Sequence, residues 1–204
     1  GTSLSLRGLR ALVARAPRAV VDGAGVVRVL DVGTGAADIP VAIVRAKGPW
    51  RAVRVTAIDS RPEVIEAARS INPELADDRI ELAVADGLAL PHPDGAFDVA
   101  HASLVLHHLE PDAAVGFLRE LSRVAGIGVV VNDLGRGRLA WLGAWLILHA
   151  MTRNPYTLHD GPLSVRRAYT RAEARDLLAG AGLVPTFEAS GLAGHRWVIA
   201  AVRG

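Results

Sequence analysis

The chain contains no cysteine, and Lys47 is the single lysine among its 23 basic residues. Without thiols there can be neither disulfides nor thiolate metal sites, and no metal is expected, although the compartment is not fixed by this absence. Long apolar runs are missing too. The densest, Leu139 to Leu148, falls short of the ~20 residues that cross a bilayer, so stable membrane insertion is not expected. There is no internal repeat, low-complexity tract or linker. Nothing near Gly1 reads as a secretion signal, and a cytoplasmic location is expected. Opening on Gly1 rather than Met suggests a longer natural N-terminus. The arginines are scattered and the net charge is only +2, so no basic stripe marks a nucleic-acid partner.

What is present fits one α/β domain over residues 1–204. Half of the residues are hydrophobic, and a chain of this length buries about 70% of its unfolded surface. Continuously apolar stretches of strand length alternate with helical periodicity. The expected strands are Val26–Val32, Val53–Asp59, Ile80–Ala85, Phe97–Ala102 and Ile127–Asn132. The expected helices are Leu4–Val13, Ile39–Ala46, Pro62–Ser70 and Pro111–Val124. After a break at Arg136–Ala168, Thr170–Ala181 reads as a helix with Thr170 as cap and Glu173 as its capping-box partner. Strands Leu183–Ala189 and Arg196–Val202 close the chain. Alternation of this kind predicts a doubly wound, mostly parallel seven-stranded sheet with the last strand antiparallel.

The sharpest local signal is Val29-Leu30-Asp31-Val32-Gly33-Thr34-Gly35-Ala36-Ala37-Asp38, an apolar strand running into a glycine turn flanked by acids. A dinucleotide-binding turn reads G-x-G-x-x-G, with pyrophosphate on the following helix N-terminus. Gly33 and Gly35 meet the first two requirements, but Asp38 holds the third glycine position. A carboxylate there repels phosphate and is expected to cap the helix itself, with Pro40 in the first turn. Asp31, at the carboxyl end of the strand, suits a positively charged ligand. S-adenosylmethionine, with an ammonium and a sulfonium and no phosphate, satisfies both acids. A nicotinamide-dependent oxidoreductase is disfavoured by the same Asp38.

Four blocks in order carry a resemblance: DVGTGAAD at Asp31–Asp38, AIDSRPEVIEAAR at Ala57–Arg69, VADGLALPHPDGAFDVA at Val84–Ala100 and LVLHHL at Leu104–Leu109. Together they resemble the class I, Rossmann-like S-adenosylmethionine-dependent methyltransferases, and within them the small-molecule enzymes of the ubiquinone/menaquinone-biosynthesis type. The resemblance implies a donor site built from Asp31, Gly33, Thr34 and Gly35, with S-adenosylhomocysteine as product. Asp59, followed by Ser60, would accept from the ribose hydroxyls, the role that an acid at this strand end plays in nucleotide folds. Read alone, Asp59 is equally a turn residue before Pro62. Asp86 would accept from the adenine amino group beside Gly87, and the backbone at Ala102 and Ser103 would face the methionine ammonium.

His107 and His108 occupy the place where quinone-type relatives tend to carry an Arg-Asn pair. Either imidazole can act as a base or orient an acceptor, with His107 favoured, and a plain helix-turn histidine is the alternative. The Arg136–Ala168 insertion carries Trp141 and Trp145 within an apolar helix. It reads as a lid over an apolar acceptor or as a dimer face, ahead of an interfacial membrane helix, because few basic residues accompany the tryptophans. His149, Tyr156 and His159 are further candidates, His159 as a base beside Asp160 and the others for acceptor binding. Asn154-Pro155-Tyr156 lies too far beyond the fourth strand to serve as an amine-holding signature and reads as a turn.

The expectation is methyl transfer to a hydrophobic small molecule, with oxygen favoured over carbon or nitrogen, in secondary-metabolite or quinone-like biosynthesis. The chain is expected to be a monomer or homodimer. The alternatives are a non-catalytic S-adenosylmethionine-binding regulatory module and, behind it, an RNA or protein methyltransferase.

Overall fold

The computed structural model describes residues 2–14, 26–48, 52–137, 167–191 and 194–204. In chain order the elements are α1 (Thr2–Val13), β1 (Val26–Val32), α2 (Asp38–Arg45), β2 (Ala52–Asp59), α3 (Pro62–Ile71), β3 (Ile80–Val84), β4 (Phe97–Ser103), α4 (Pro111–Val124), β5 (Ala125–Leu134), α5 (Arg171–Gly180), β6 (Leu183–Ser190) and β7 (Arg196–Arg203). One seven-stranded sheet runs in the order β3-β2-β1-β4-β5-β7-β6. β7 is antiparallel to both of its neighbours, and the β1–β2, β1–β4, β2–β3 and β4–β5 ladders are parallel. The fold is the Rossmann-like arrangement expected from the alternating pattern. The order reverses between β1 and β4, which leaves a crevice at the carboxyl ends of the strands.

Apolar runs without polar alternation form these strands because both sheet faces are covered. Leu30, Val32, Ala100, Val129, Val131 and Ile199 face one core with Phe117 and Leu121 of α4 and Leu178 of α5. Val27, Val29, Val99, Val130, Val198 and Ala200 face the other, against Leu9 and Leu12 of α1 and Ile43 of α2. Helix α1 lies close over β5 and β7 because Gly8 carries no Cβ; one placed there would meet Val130 Cγ1 at 2.7 Å and Val198 Cγ2 at 3.0 Å.

The capping box of α5 forms as the sequence predicts, with Thr170 Oγ1 accepting from the Glu173 amide and Glu173 accepting from the Thr170 amide. The cap of α2 is a correction. Ala37, in the left-handed region at φ 56°, ψ 30°, is the N-cap, and Asp38 is the first helical residue. The helix therefore begins one residue earlier than the sequence suggests, directly after the left-handed step at Ala37. The Asp38 carboxylate accepts from Thr2 Oγ1 of α1 at 3.0 Å instead, where it still meets the positive end of the helix.

Candidate active site

The turn after β1 opens on Gly33 at φ 70°, a conformation that disfavours a side chain, and a Cβ there would meet Val105 Cγ2 at 2.5 Å. Glycine is required twice over: for the turn and for the close approach of the segment following β4. Three of the turn's amides are spent on neighbouring protein groups, two of them at the end of β2. Thr34 N–H donates to Ile58 O at 2.9 Å, Ala37 N–H to Thr34 O at 2.9 Å, and Gly35 N–H to Asp59 Oδ2 at 3.3 Å. A phosphate cradle needs such amides free to aim at the anion.

A cavity of about 680 Å³ opens at this switch point, and its walls include Asp31, Asp38 and Asp59 together with Gly33, Thr34 and Gly35. Ser60, Arg61, Ser103, His108 and Arg196 also line it. A smaller recess of about 210 Å³ is lined by Asp86, Gly87 and Leu88 and shares Gly33, Asp59, Ser60 and Val105 with the larger one. Asp59 therefore stands where the two meet. Its Oδ1 accepts from the Arg61 amide at 3.2 Å, which fixes the carboxylate at the end of β2. Asp86 Oδ1 accepts from the Leu88 amide at 2.9 Å. Three carboxylates, beside a turn three of whose amides are engaged, suit a cation-bearing nucleoside such as S-adenosylmethionine better than a diphosphate. Ala102 lines neither recess and is buried in the core.

Asp31 is 1% exposed. Its Oδ2 accepts from Thr34 Oγ1 at 2.7 Å, and its Oδ1 lies 2.6 Å from His101 Nδ1. His101, on β4, is wholly buried. Its position within an apolar strand gave no sign of this role in the sequence. Leu104, just past β4, has φ 61°, and the kink turns its neighbours Ser103 and Val105 into the cavity wall.

The two adjacent histidines differ in placement. His107 is 6% exposed and does not line the cavity. Its Nδ1 lies 2.7 Å from Asp133 Oδ1, and its amide donates to Asp133 Oδ2 at 3.2 Å. His108 lines the cavity. Burial lowers the His108 pKa below its ordinary value; His107, Arg167 and Arg61 push the same way and Asp133 opposes them. Trp141, Trp145, His149, Tyr156 and His159 lie outside the described residues. Among the described residues no group of three or more His, Cys, Asp or Glu is arranged to hold a metal ion, and no helix is long and apolar enough to cross a membrane.

An open parallel sheet with an antiparallel last strand and a carboxylate-lined glycine turn at its switch point defines the class I methyltransferase architecture. Residues 29–128 match the family model described as "Methyltransferase domain", and the chain has the fold of the class I S-adenosylmethionine-dependent methyltransferases. It is similar to the tRNA (carboxymethyluridine(34)-5-O)-methyltransferase of Saccharomyces cerevisiae, 36% identical over 103 residues that cover 50% of this chain and 32% of the relative. It is similar also to the 27-O-demethylrifamycin SV methyltransferase of Amycolatopsis mediterranei, 33% identical over 123 residues, 59% of this chain and 39% of the relative. The matches thus span about a third of the length of these relatives. Among solved structures, mitomycin 7-O-methyltransferase superposes with a TM-score of 0.66 at 22% identity, covering 99% of this chain and 55% of the other, a likeness of fold. The particular resemblance to quinone-biosynthesis enzymes is not reflected in these matches.

Proposed function

We propose that this chain transfers a methyl group from S-adenosylmethionine to an oxygen of a hydrophobic small molecule. The observation that carries the reading is the donor cleft: three carboxylates around a glycine turn whose Thr34, Gly35 and Ala37 amides are already engaged. When bound there, S-adenosylmethionine supplies an electrophilic methyl group on a sulfonium sulfur. Asp59 would accept from the ribose hydroxyls, Asp86 from the adenine amino group, and Asp31, steadied by Thr34 and His101, would face the ammonium. Cleft walls contribute chiefly by orientation and by excluding water.

Two features support oxygen as the acceptor atom. Both relatives carry O-methylation in their names, and His108, exposed and with its pKa lowered by partial burial, stands in the cavity wall. It would accept the proton that a hydroxyl gives up as its oxygen is methylated, and His107 with Asp133 would fix the neighbouring ring. The apolar Trp141 and Trp145 segment supports a hydrophobic acceptor, as do the rifamycin and mitomycin names of two similar proteins.

Calorimetric titration with S-adenosylhomocysteine and with NADH, followed by transfer of labelled methyl groups to a panel of apolar phenols and alcohols, tests the reading. Binding of the homocysteine ligand alone, with transfer to panel members, is expected. Tight NADH binding would overturn the donor assignment. Transfer to tRNA in preference to the panel would overturn the acceptor class, and donor binding with no transfer to either would leave a non-catalytic binding module.

A further inference from the structure

Resting on the donor-site reading above, we infer that His101 is a positioning residue that couples occupancy of the donor cleft to the seating of α1. Asp31 and His101 are register partners on the parallel strands β1 and β4, and Asn132 lies on β5, the next strand of the sheet. His101 Nδ1 is 2.6 Å from Asp31 Oδ1, and its Nε2 is 2.8 Å from Ser5 Oγ of α1. Asn132 Nδ2 donates to the same Ser5 oxygen at 2.8 Å. Asp31, His101, Ser5 and Asn132 are each no more than 1% exposed.

The donors and acceptors admit a consistent arrangement. An ionised Asp31 can only accept, so Nδ1 carries a proton. Ser5 Oγ receives the Asn132 N–H and directs its own proton to Nε2. With a neutral imidazole every bond in the row has one donor and one acceptor. The orientation of a cleft carboxylate is thereby set from two sides, by Thr34 within the turn and by a helix contact relayed through His101. Buried rows of this kind rigidify when complete and are costly when a member is lost.

Helix α1 has a second tie to the same cleft. Thr2 lines it and donates to Asp38, which also lines it. Withdrawal of α1 removes a wall, strips Nε2 of its partner and frees Asp31 to turn away from the cation site. Thermodynamic linkage then requires that a ligand that favours the seated helix be favoured by it to the same factor.

The test uses the whole chain and S-adenosylhomocysteine as probe. Amide hydrogen exchange across Thr2–Val13 is expected to slow by about tenfold when the ligand binds, a usual size for coupling between sites. The His101 imidazole proton and nitrogen resonances are expected to shift with it. Ser5→Ala is expected to lose affinity for the ligand by a comparable factor. Tight binding that leaves both α1 exchange and the His101 resonances unchanged would overturn the inference, as would wild-type affinity in Ser5→Ala. Failure of the unsubstituted chain to bind the ligand would instead remove the donor reading itself. The exchange and resonance measurements need no variant, so a destabilised Ser5→Ala protein does not blunt them.

Discussion

The imidazole rings of His107 and His108 stand 4.0 Å apart with their planes inclined by 39°, and of the two only His108 lines the donor cleft. His107 is held against the buried Asp133, so the pair divides into an anchored ring and a ring that faces the cavity.

That division predicts a pH profile. Burial and the neighbouring cations lower the His108 pKa from its ordinary 6.5, and a base must be neutral to accept a proton. The transfer rate is therefore expected to rise with pH along a limb centred below 6.5 and to be level through neutrality. His108→Gln should remove that limb and reduce kcat by about 10²–10⁴-fold, the usual contribution of a positioned base. Initial rates from pH 5 to 9 check both, and an unchanged acid limb in the variant would refute the assignment.

Asp59→Asn tests the junction between the two recesses. The substitution takes charge from an acceptor that steadies both Gly35 and Arg61. Hydrogen bonds to a charged group contribute about 1.5–3 kcal/mol. Affinity for S-adenosylhomocysteine should fall by roughly 10–100-fold by calorimetry, with the far-ultraviolet circular dichroism spectrum unchanged.

Gly33→Ala meets two penalties at once, a positive φ and a Cβ 2.5 Å from Val105 Cγ2. The conformational part alone costs about 1–2 kcal/mol. Because Val105 is stiff at χ1, the segment after β4 must shift as well. Urea unfolding should show a loss of at least about 1 kcal/mol, together with near-complete loss of donor binding.

Thr170→Ala should act on stability and leave the donor site alone. Loss of a side-chain cap costs about 1 kcal/mol, which for a chain of this size lowers Tm by about 2–4 °C. Thermal denaturation checks the loss, and titration with S-adenosylhomocysteine should give the wild-type affinity.

Much of this architecture was legible because burial on both faces leaves a plain trace: β1, β4 and β7 are apolar runs with few interruptions, and the acids at the ends of β1 and β2 stand out against them. Thr170 and Glu173 announced their cap by spacing alone. The start of α2 did not read correctly, since Asp38 looks like an N-cap until the left-handed step at Ala37 is known. His101 was silent for a different reason. A histidine inside a strand carries no periodic mark, and its partner Ser5 is far away in sequence, brought near by the packing of α1 over the sheet. His107 and His108 were both visible as candidates, but which ring faces the cleft depends on the short turn between β4 and α4 and on Asp133 at the end of β5.

The reversal of β7 has a consequence for synthesis on the ribosome. Because this strand enters the sheet from the crevice end, Arg196 completes a cavity whose first wall residue, Thr2, emerged long before. A nascent chain halted ahead of β7 would own the glycine turn but an unfinished pocket, and full retention on an immobilised adenosyl ligand would report that the final strand has docked.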